Sequence, residues 1–154
     1  MDMRLSALQK AAGTFSLSEG NGLEDRIRFQ KTVFILQEMG MLRTRYAFEW
    51  YVFGPYSPAL AKAGFEFLEG KDAPLPVASD FKQRLERFHS MLAMRRRMDE
   101  ARWLELIACL AYQRRETKTK GESFTNVREH QVYFQDQEVL EAGWDALERA
   151  LAAV

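Results

Sequence analysis

The stretch YAFEWYVFGPYSPALA, residues 46–61, decides the local fold of the first half of the chain. Its many aromatic residues and few helix formers predict a strand over residues 45–53 that ends at Gly54-Pro55. Ser57-Pro58 then predicts the start of a helix, because serine is a favoured N-cap and proline fits the first helical position. Four residues are therefore assigned a structural role at this corner: Gly54, Pro55, Ser57 and Pro58.

Helical periodicity surrounds this corner on both sides. The apolar spacing predicts six helices, over residues 4–12, 24–39, 58–68, 80–97, 99–115 and 136–152. Residues 71–78 are expected to form a proline-containing connector with a short strand at 75–77, and residues 117–127 a polar loop. The sequence thus predicts a mainly α fold, of the α+β type, with a small β element.

The most apolar helix is expected to form the centre of the core. It contains the run from Trp103 to Ala111, including Ile107. Apolar residues from several other elements are predicted to pack against it: Ile27, Val33, Phe34, Trp50, Phe88 and Leu147.

Composition limits the class of protein. The chain has 154 residues, of which 47% are hydrophobic and 29% are charged, and this suits one folded domain. Its apolar runs are shorter than the roughly 18–20 residues that span a bilayer, and its first residues lack the pattern of a secretory signal. The single cysteine, Cys109, lies in an apolar helix pattern and cannot form an internal disulfide. We therefore predict a cytoplasmic protein that does not span a membrane.

The sequence lacks the common motifs of catalysis and metal binding. HExxH, CxxC and the P-loop are absent, and the two histidines, His89 and His130, are too isolated for a histidine-based metal site. We therefore predict no enzymatic activity, no catalytic residue, no metal and no cofactor. Arg84 precedes His89 by five residues, a spacing that loosely resembles the motif of HEPN-type ribonucleases. Positions five apart on a helix are rotated by roughly 140°, so a ribonuclease is the last of our hypotheses.

Charge is balanced overall but unevenly distributed along the chain. The formal net charge is zero, yet residues 82–120 carry 11 basic and 5 acidic side chains, whereas residues 121–154 carry 2 and 7. The basic side chains of the middle segment have two interpretations: they oppose helix dipoles at C-terminal helix ends, or they contact phosphate. The candidate phosphate-contacting residues are Arg95, Arg96, Arg97, Arg114, Arg115, Lys118 and Lys120.

Three segments in order resemble a known family: RIRFQKTVFILQEMG (26–40), YAFEWYVFGPYSPALA (46–61) and WLELIACLAYQ (103–113). They are similar to the YwgA-like family of small bacterial and archaeal proteins. Its members show a helix of the type LQKLVFLL, an aromatic strand ending in GPYSP, a helix resembling LELLASIHYL, and a final amphipathic helix after an acidic turn. Phe29 stands where the family usually has leucine. A more distant similarity links the chain to Panacea-type antitoxins and SocA-like proteolytic adaptors, which also have a QK-containing helix before an aromatic strand.

This resemblance implies a winged-helix-like core with an inserted aromatic strand, extended by C-terminal helices. It implies one domain over residues 1–154, with the core in 1–78 and the helical extension in 79–154. It implies no known catalytic residues.

Two functional classes follow from these observations. We favour a protein-interaction or regulatory module, of the antitoxin-like, adaptor or defence-associated kind, whose partner is another protein. Its candidate interaction residues are Lys31, in the QK pair, and Tyr51 and Tyr56, as aromatic anchors. The alternative is a winged-helix DNA-binding transcriptional regulator, but the helix PALAKAGFEFLEG that would read bases offers only Lys62. Weak nucleic-acid binding and homo-oligomerisation stay open.

Overall fold

The computed structural model describes residues 1–20, 22–116 and 119–152, which form seven helices and two small antiparallel sheets. The helices are α1 (Leu5–Ala12), α2 (Leu23–Glu38), α3 (Pro58–Leu68), α4 (Phe81–Ala93), α5 (Glu100–Glu116), α6 (Lys120–His130) and α7 (Gln137–Leu151). The strands are β1 (Asp2–Arg4), β2 (Glu49–Tyr51), β3 (Gly54–Tyr56) and β4 (Pro74–Pro76). The predicted class, mainly α with a small β element, is confirmed.

The core is centred on α5, as the sequence predicts. Every residue from 103 to 111 is at most 5% exposed, because α2, α6, α7 and β3 all pack around this helix. Four of the predicted packing residues are fully buried: Val33, Phe34, Phe88 and Leu147. The two segments 1–78 and 79–154 therefore meet in one apolar core.

Two residues assigned to the core lie at its edge instead. Ile27 is only half-buried, because it faces an open cavity beside α2. Trp50 is also half-buried, and its ring packs between the rings of Tyr112 and His130 at centroid distances of 5.4 and 5.6 Å.

The aromatic stretch forms a short hairpin rather than the long strand predicted over residues 45–53. Only Glu49–Tyr51 is a strand, and it pairs antiparallel with Gly54–Tyr56, so Gly54-Pro55 begins a second strand. A helix side chain replaces the missing ladder, because Gln37 Nε2 donates to Tyr46 O at 3.0 Å and Tyr46 N donates to Gln37 Oε1 at 3.2 Å. This satisfies the backbone at Tyr46 without a partner strand.

Gly54 is required by both conformation and space. Its φ is +91°, and a Cβ at this position would lie 2.6 Å from Cys109 Sγ on α5. Glycine therefore lets β3 lie directly on the central helix.

The predicted start of α3 is confirmed. Ser57 Oγ accepts a hydrogen bond from Leu60 N at 3.2 Å, and Pro58 occupies the first helical turn. In addition, the Gln30 amide clamps the backbone of Ser57: Gln30 Nε2 donates to Ser57 O and Ser57 N donates to Gln30 Oε1, both at 2.9 Å. The corner is thus held by a side chain that the sequence analysis did not identify.

Three other sequence predictions are corrected. The strand expected at 75–77 is β4, shifted by one residue, and it pairs with β1, which was not predicted. Residues 120–130 form α6 rather than a loop, since Phe124 and Val127 are buried and Glu122 N donates to the Thr119 Oγ cap at 3.1 Å. Finally, α4 ends at Ala93, so residues 95–97 lie in the turn before α5 and not in the last turn of a helix.

Among the described residues, no helix is both long enough and apolar enough to cross a membrane.

Candidate functional site

An apolar groove of about 460 Å³ opens between α2, α3 and the turn that joins β2 to β3. One wall is a single face of α2, with residues at positions i, i+3, i+4 and i+7: Leu23, Arg26, Ile27 and Gln30. The opposite wall is a face of α3 with the same spacing: Ala61, Gly64, Phe65 and Leu68. We call this feature the α2–α3 groove.

A close contact between the two helices fixes the base of the groove. A Cβ on Gly64 would lie 3.1 Å from Phe29 Cε2, so glycine lets α3 approach α2 closely at this point. Phe29 in turn packs against Phe15, with ring centroids 5.0 Å apart. The base is therefore built from buried aromatic packing.

Exposed apolar side chains gather around this groove. Four of its lining residues are strongly exposed: Leu23 (55%), Tyr51 (45%), Val52 (78%) and Phe65 (53%). In the part of the chain that the structure describes, only three other large hydrophobic side chains are exposed: Met1, Val132 and Tyr133. Four of the seven large hydrophobic side chains that are exposed among the described residues thus lie at one site.

The hairpin closes one end of the groove and is anchored to the body of the protein. The rings of Tyr51 and Tyr56 meet edge to face across the hairpin, with centroids 5.1 Å apart. At the turn, Gln131 Nε2 donates to Val52 O at 3.2 Å. The tyrosine pair therefore has a defined position relative to α2 and α3.

Lys31 lies at the floor of the groove and is almost fully buried. Its Nζ donates to Pro55 O at 2.7 Å, which ties α2 to β3. Burial lowers the pKa of Lys31 to about 8, and the neighbouring Cys109 and Glu105 oppose this shift.

The polar groups beneath the hairpin are held by burial and by one another. Burial raises the pKa of the Cys109 thiol, so this thiol stays protonated and has little nucleophilic character. Burial also raises the pKa of Glu105, which accepts hydrogen bonds from the Tyr133 hydroxyl and, at 3.2 Å, from Arg102. Packing and hydrogen bonds within the protein hold these side chains in place. The accessible feature of this region is the groove above them.

The charged side chains that line the groove are both cationic. They are Arg26 and Lys31, and no aspartate or glutamate of the described part of the chain belongs to the lining. Arg26 is exposed and forms no ion pair with any described residue. By contrast, Arg28 on the next face of α2 contacts Glu24 at 3.6 Å and Glu100 at 2.7 Å.

The structure brings together the three candidate interaction residues predicted from the sequence. Lys31, Tyr51 and Tyr56 all line the α2–α3 groove. Sequence reasoning missed the walls of the site, in particular Leu23, Val52, Phe65 and Arg26. The signal available in the sequence was the apolar composition of α3. The structure adds that only two of its residues, Leu60 and Gly64, are buried.

The candidate phosphate-contacting residues do not form one patch. Those at 95–97 precede the first residue of α5, whereas Arg114 and Arg115 lie in its last turn. Since an α-helix rises by about 1.5 Å per residue, the two groups are separated by roughly 25 Å along the helix axis.

Several of these basic side chains are already paired within the protein. Arg95 contacts Glu100 at 3.5 Å, Arg115 contacts Glu38 at 3.1 Å, and Lys120 contacts Glu141. Three others, Arg96, Arg97 and Arg114, form no ion pair with any described residue, and Lys118 lies outside the described residues. Among the described candidates, the structure therefore leaves the adjacent Arg96 and Arg97 before α5 and Arg114 near its other end, rather than one patch.

The ribonuclease-like spacing is occupied by structural contacts. The Arg84 guanidinium donates to Asp80 at 2.8 Å and to Met39 O at 2.6 Å, while His89 Nε2 lies 3.2 Å from Ala12 O. Each side chain thus serves a different part of the fold. Across residues 1–20, 22–116 and 119–152, no three His, Cys, Asp or Glu side chains gather as metal ligands would.

Comparison with known proteins found no match for this chain. No protein-family model, curated protein or solved structure matches the chain. The resemblance to the YwgA-like family and the winged-helix-like core therefore stay predictions from the sequence, and the functional argument rests on the α2–α3 groove.

Proposed function

We propose that this protein is a non-enzymatic interaction module that docks an apolar segment of another protein in the α2–α3 groove. The observation that carries the proposal is the convergence of four exposed apolar side chains on one groove: Leu23, Tyr51, Val52 and Phe65. Contiguous exposed apolar surface of this kind marks protein-interaction sites, because leaving it in water costs about 25 cal/mol for each Å².

The α3 helix supports the proposal in a second way. Its sequence, PALAKAGFEFL, contains one lysine and one glutamate and is otherwise apolar, yet only Leu60 and Gly64 are buried. A helix of this composition is normally covered on most of its surface. A docked segment would cover the face that carries Phe65.

The dimensions of the groove define the size of the occupant. Each wall spans eight residues of helix, from i to i+7, and the seven rises between them correspond to about 10 Å. A partner would therefore fill it with about two turns of helix or about three residues of an extended chain. The edge-to-face tyrosine pair offers rigid aromatic anchors of the type that dominate interface energetics.

The same features weigh against the DNA-binding alternative. In that hypothesis α3 would enter the major groove, but its outer surface presents Phe65 and offers Lys62 as its one cation. The candidate phosphate-contacting arginines without an ion pair among the described residues, Arg96, Arg97 and Arg114, also lie near opposite ends of α5. The proposal therefore places this protein among adaptor-like or antitoxin-like regulators acting in the cytoplasm, through contact with a protein.

The test is a selection of random phage-displayed peptides on the wild-type protein, with removal of those that also bind Phe65→Asp. Selected peptides are then synthesised and titrated by fluorescence anisotropy. Because the selection already requires sensitivity to Phe65→Asp, the independent test is Val52→Asp, which we expect to weaken binding by at least about tenfold, as loss of an interface anchor does. Circular dichroism verifies that each variant stays folded.

The matched control is Val132→Asp. Val132 is as exposed as Val52, at 76% and 78%, and does not line the groove. Full binding by Val52→Asp, or equal loss in both variants, would contradict the assignment.

A dimer in light scattering that Phe65→Asp abolishes would assign the groove to a second copy of the chain. Sequence-specific nanomolar binding of duplex DNA at near-physiological salt would favour the regulator hypothesis.

A further inference from the structure

We infer that the segment docked in the α2–α3 groove carries an acidic side chain, whose carboxylate pairs with Arg26 at the groove wall. This inference rests on the proposed function and specifies the chemistry of the partner: a short apolar segment with an aspartate or glutamate beside its anchoring residues.

The first support is the contrast between two arginines on the same helix. Arg28 is satisfied within the protein by Glu24 and Glu100. Arg26, two residues earlier, lines the groove, is exposed and has no acidic partner among the described residues. A guanidinium presents five donors in a planar fork that matches the two oxygens of a carboxylate.

The second support is the sign of the charge across the whole groove. Its other charged lining residue is Lys31, and among the residues that the structure describes neither aspartate nor glutamate lines the groove. The two charged side chains of the lining are therefore both cationic, although the net charge of the chain is zero. A basic residue of a partner would be repelled here, and an acidic one attracted.

The third support is the register of Arg26 on α2. It lies three residues after Leu23 and four before Gln30, so it interrupts an otherwise uncharged stripe one helical turn from each. A partner that seats an apolar side chain against Leu23 or Ile27 brings its neighbouring residues within reach of the guanidinium. The groove thus combines a mostly apolar lining with one exposed cation, Arg26, that sets register.

The experiment uses the groove-dependent peptides from the selection on phage. We expect aspartate or glutamate to be enriched next to their apolar anchors. Replacing that acid by its amide should weaken binding by up to about fivefold at low salt, and Arg26→Glu, which replaces attraction by repulsion, should weaken it further. Both effects should diminish as salt screens the pair. A peptide with lysine in place of the acid should bind Arg26→Glu more tightly than it binds the wild type.

The control for the change of charge is Arg114→Glu. This arginine is exposed and unpaired among the described residues, and it lies near the opposite end of α2, since the adjacent Arg115 contacts Glu38. We expect Arg114→Glu to leave peptide affinity unchanged.

The outcomes separate this inference from the proposal beneath it. Groove-dependent peptides that are neutral or basic, or that bind Arg26→Glu as well as wild type, overturn the acidic specificity and leave the docking function standing. An equal loss with Arg114→Glu shows that only net charge matters, which also overturns it. Failure to recover any peptide sensitive to Phe65→Asp overturns both.

Discussion

The helices α5 and α3 are both rich in apolar residues, but the fold treats them in opposite ways. In α5, every side chain from Trp103 to Ala111 is buried by α2, α6, α7 and β3. In α3, only Leu60 and Gly64 are buried, and Phe65 is more than half exposed. The apolar composition of a helix therefore predicts that its surface packs against something. Whether the chain itself provides that packing depends on the surrounding elements.

The largest expected effect on stability comes from α5, the helix that the rest of the chain buries. Ile107 is fully buried in α5, so Ile107→Ala should lower the free energy of unfolding by about 2–5 kcal/mol through lost burial and a residual cavity. Urea denaturation measures the change. A loss below about 1 kcal/mol would mean that the core collapses around the cavity and is less rigid than its burial indicates.

Lys31 lies at the boundary between the filled core and the open groove, and its charge makes stability depend on pH. Burial lowers its pKa from 10.5 to about 8, so the unfolded chain binds more protons between these values and stability rises with pH across that window. The free energy of unfolding of the wild type, relative to Lys31→Met, should increase by about 2 kcal/mol between about pH 7.5 and 9.5.

The difference between the two proteins cancels other groups that titrate in this range. Denaturation at several pH values gives the slope. A difference that is independent of pH would show that Lys31 reaches solvent through the groove and keeps an ordinary pKa.

A smaller effect is expected where the hairpin leads into α3. Ser57→Ala removes the hydroxyl that caps Leu60 N and should cost about 0.5–2 kcal/mol. Gln30 binds only the backbone of residue 57, so its clamp survives the substitution and the cap is measured alone. Unchanged thermal stability would show that the clamp, and not the cap, holds the start of α3.

The smallest effect on stability is expected in α3, the helix whose outer face is open. Phe65→Ala should change the free energy of unfolding by no more than about 0.5 kcal/mol, because this side chain is largely exposed. It should nevertheless reduce peptide binding in the groove. A loss of stability comparable to that of Ile107→Ala would erase the contrast between the two helices and assign Phe65 to the core.

Local signals in the sequence predicted the parts of the fold that depend on local chemistry. The Ser57-Pro58 pair indicates the start of α3, and Gly13 and Gly40, both with positive φ, follow the ends of α1 and α2. The long strand expected over residues 45–53 failed because Gln37, distant from any strand pattern, satisfies the backbone of Tyr46. Replacement of a ladder by a helix side chain leaves no periodic signal.

The elements that were missed depend on tertiary contacts. The polar sequence of α6 buries Phe124 and Val127 only because neighbouring helices receive them. For the site, Tyr51 and Tyr56 are predictable as aromatic anchors, whereas the exposure of Phe65 is a property of the assembled surface. The role of Arg26 is likewise invisible in the sequence, where it resembles the paired Arg28.

The contact between Gly54 and Cys109 also provides a chemical clock. Cys109 is the single thiol in the chain, it is fully buried, and β3 lies directly over it. A thiol reagent can react only after a local opening of the fold, and lifting the hairpin from α5 is one such opening, so the rate of labelling measures how often Cys109 becomes accessible. Slower labelling in the presence of a bound peptide would then report, in seconds or hours, how firmly an occupant holds the hairpin shut.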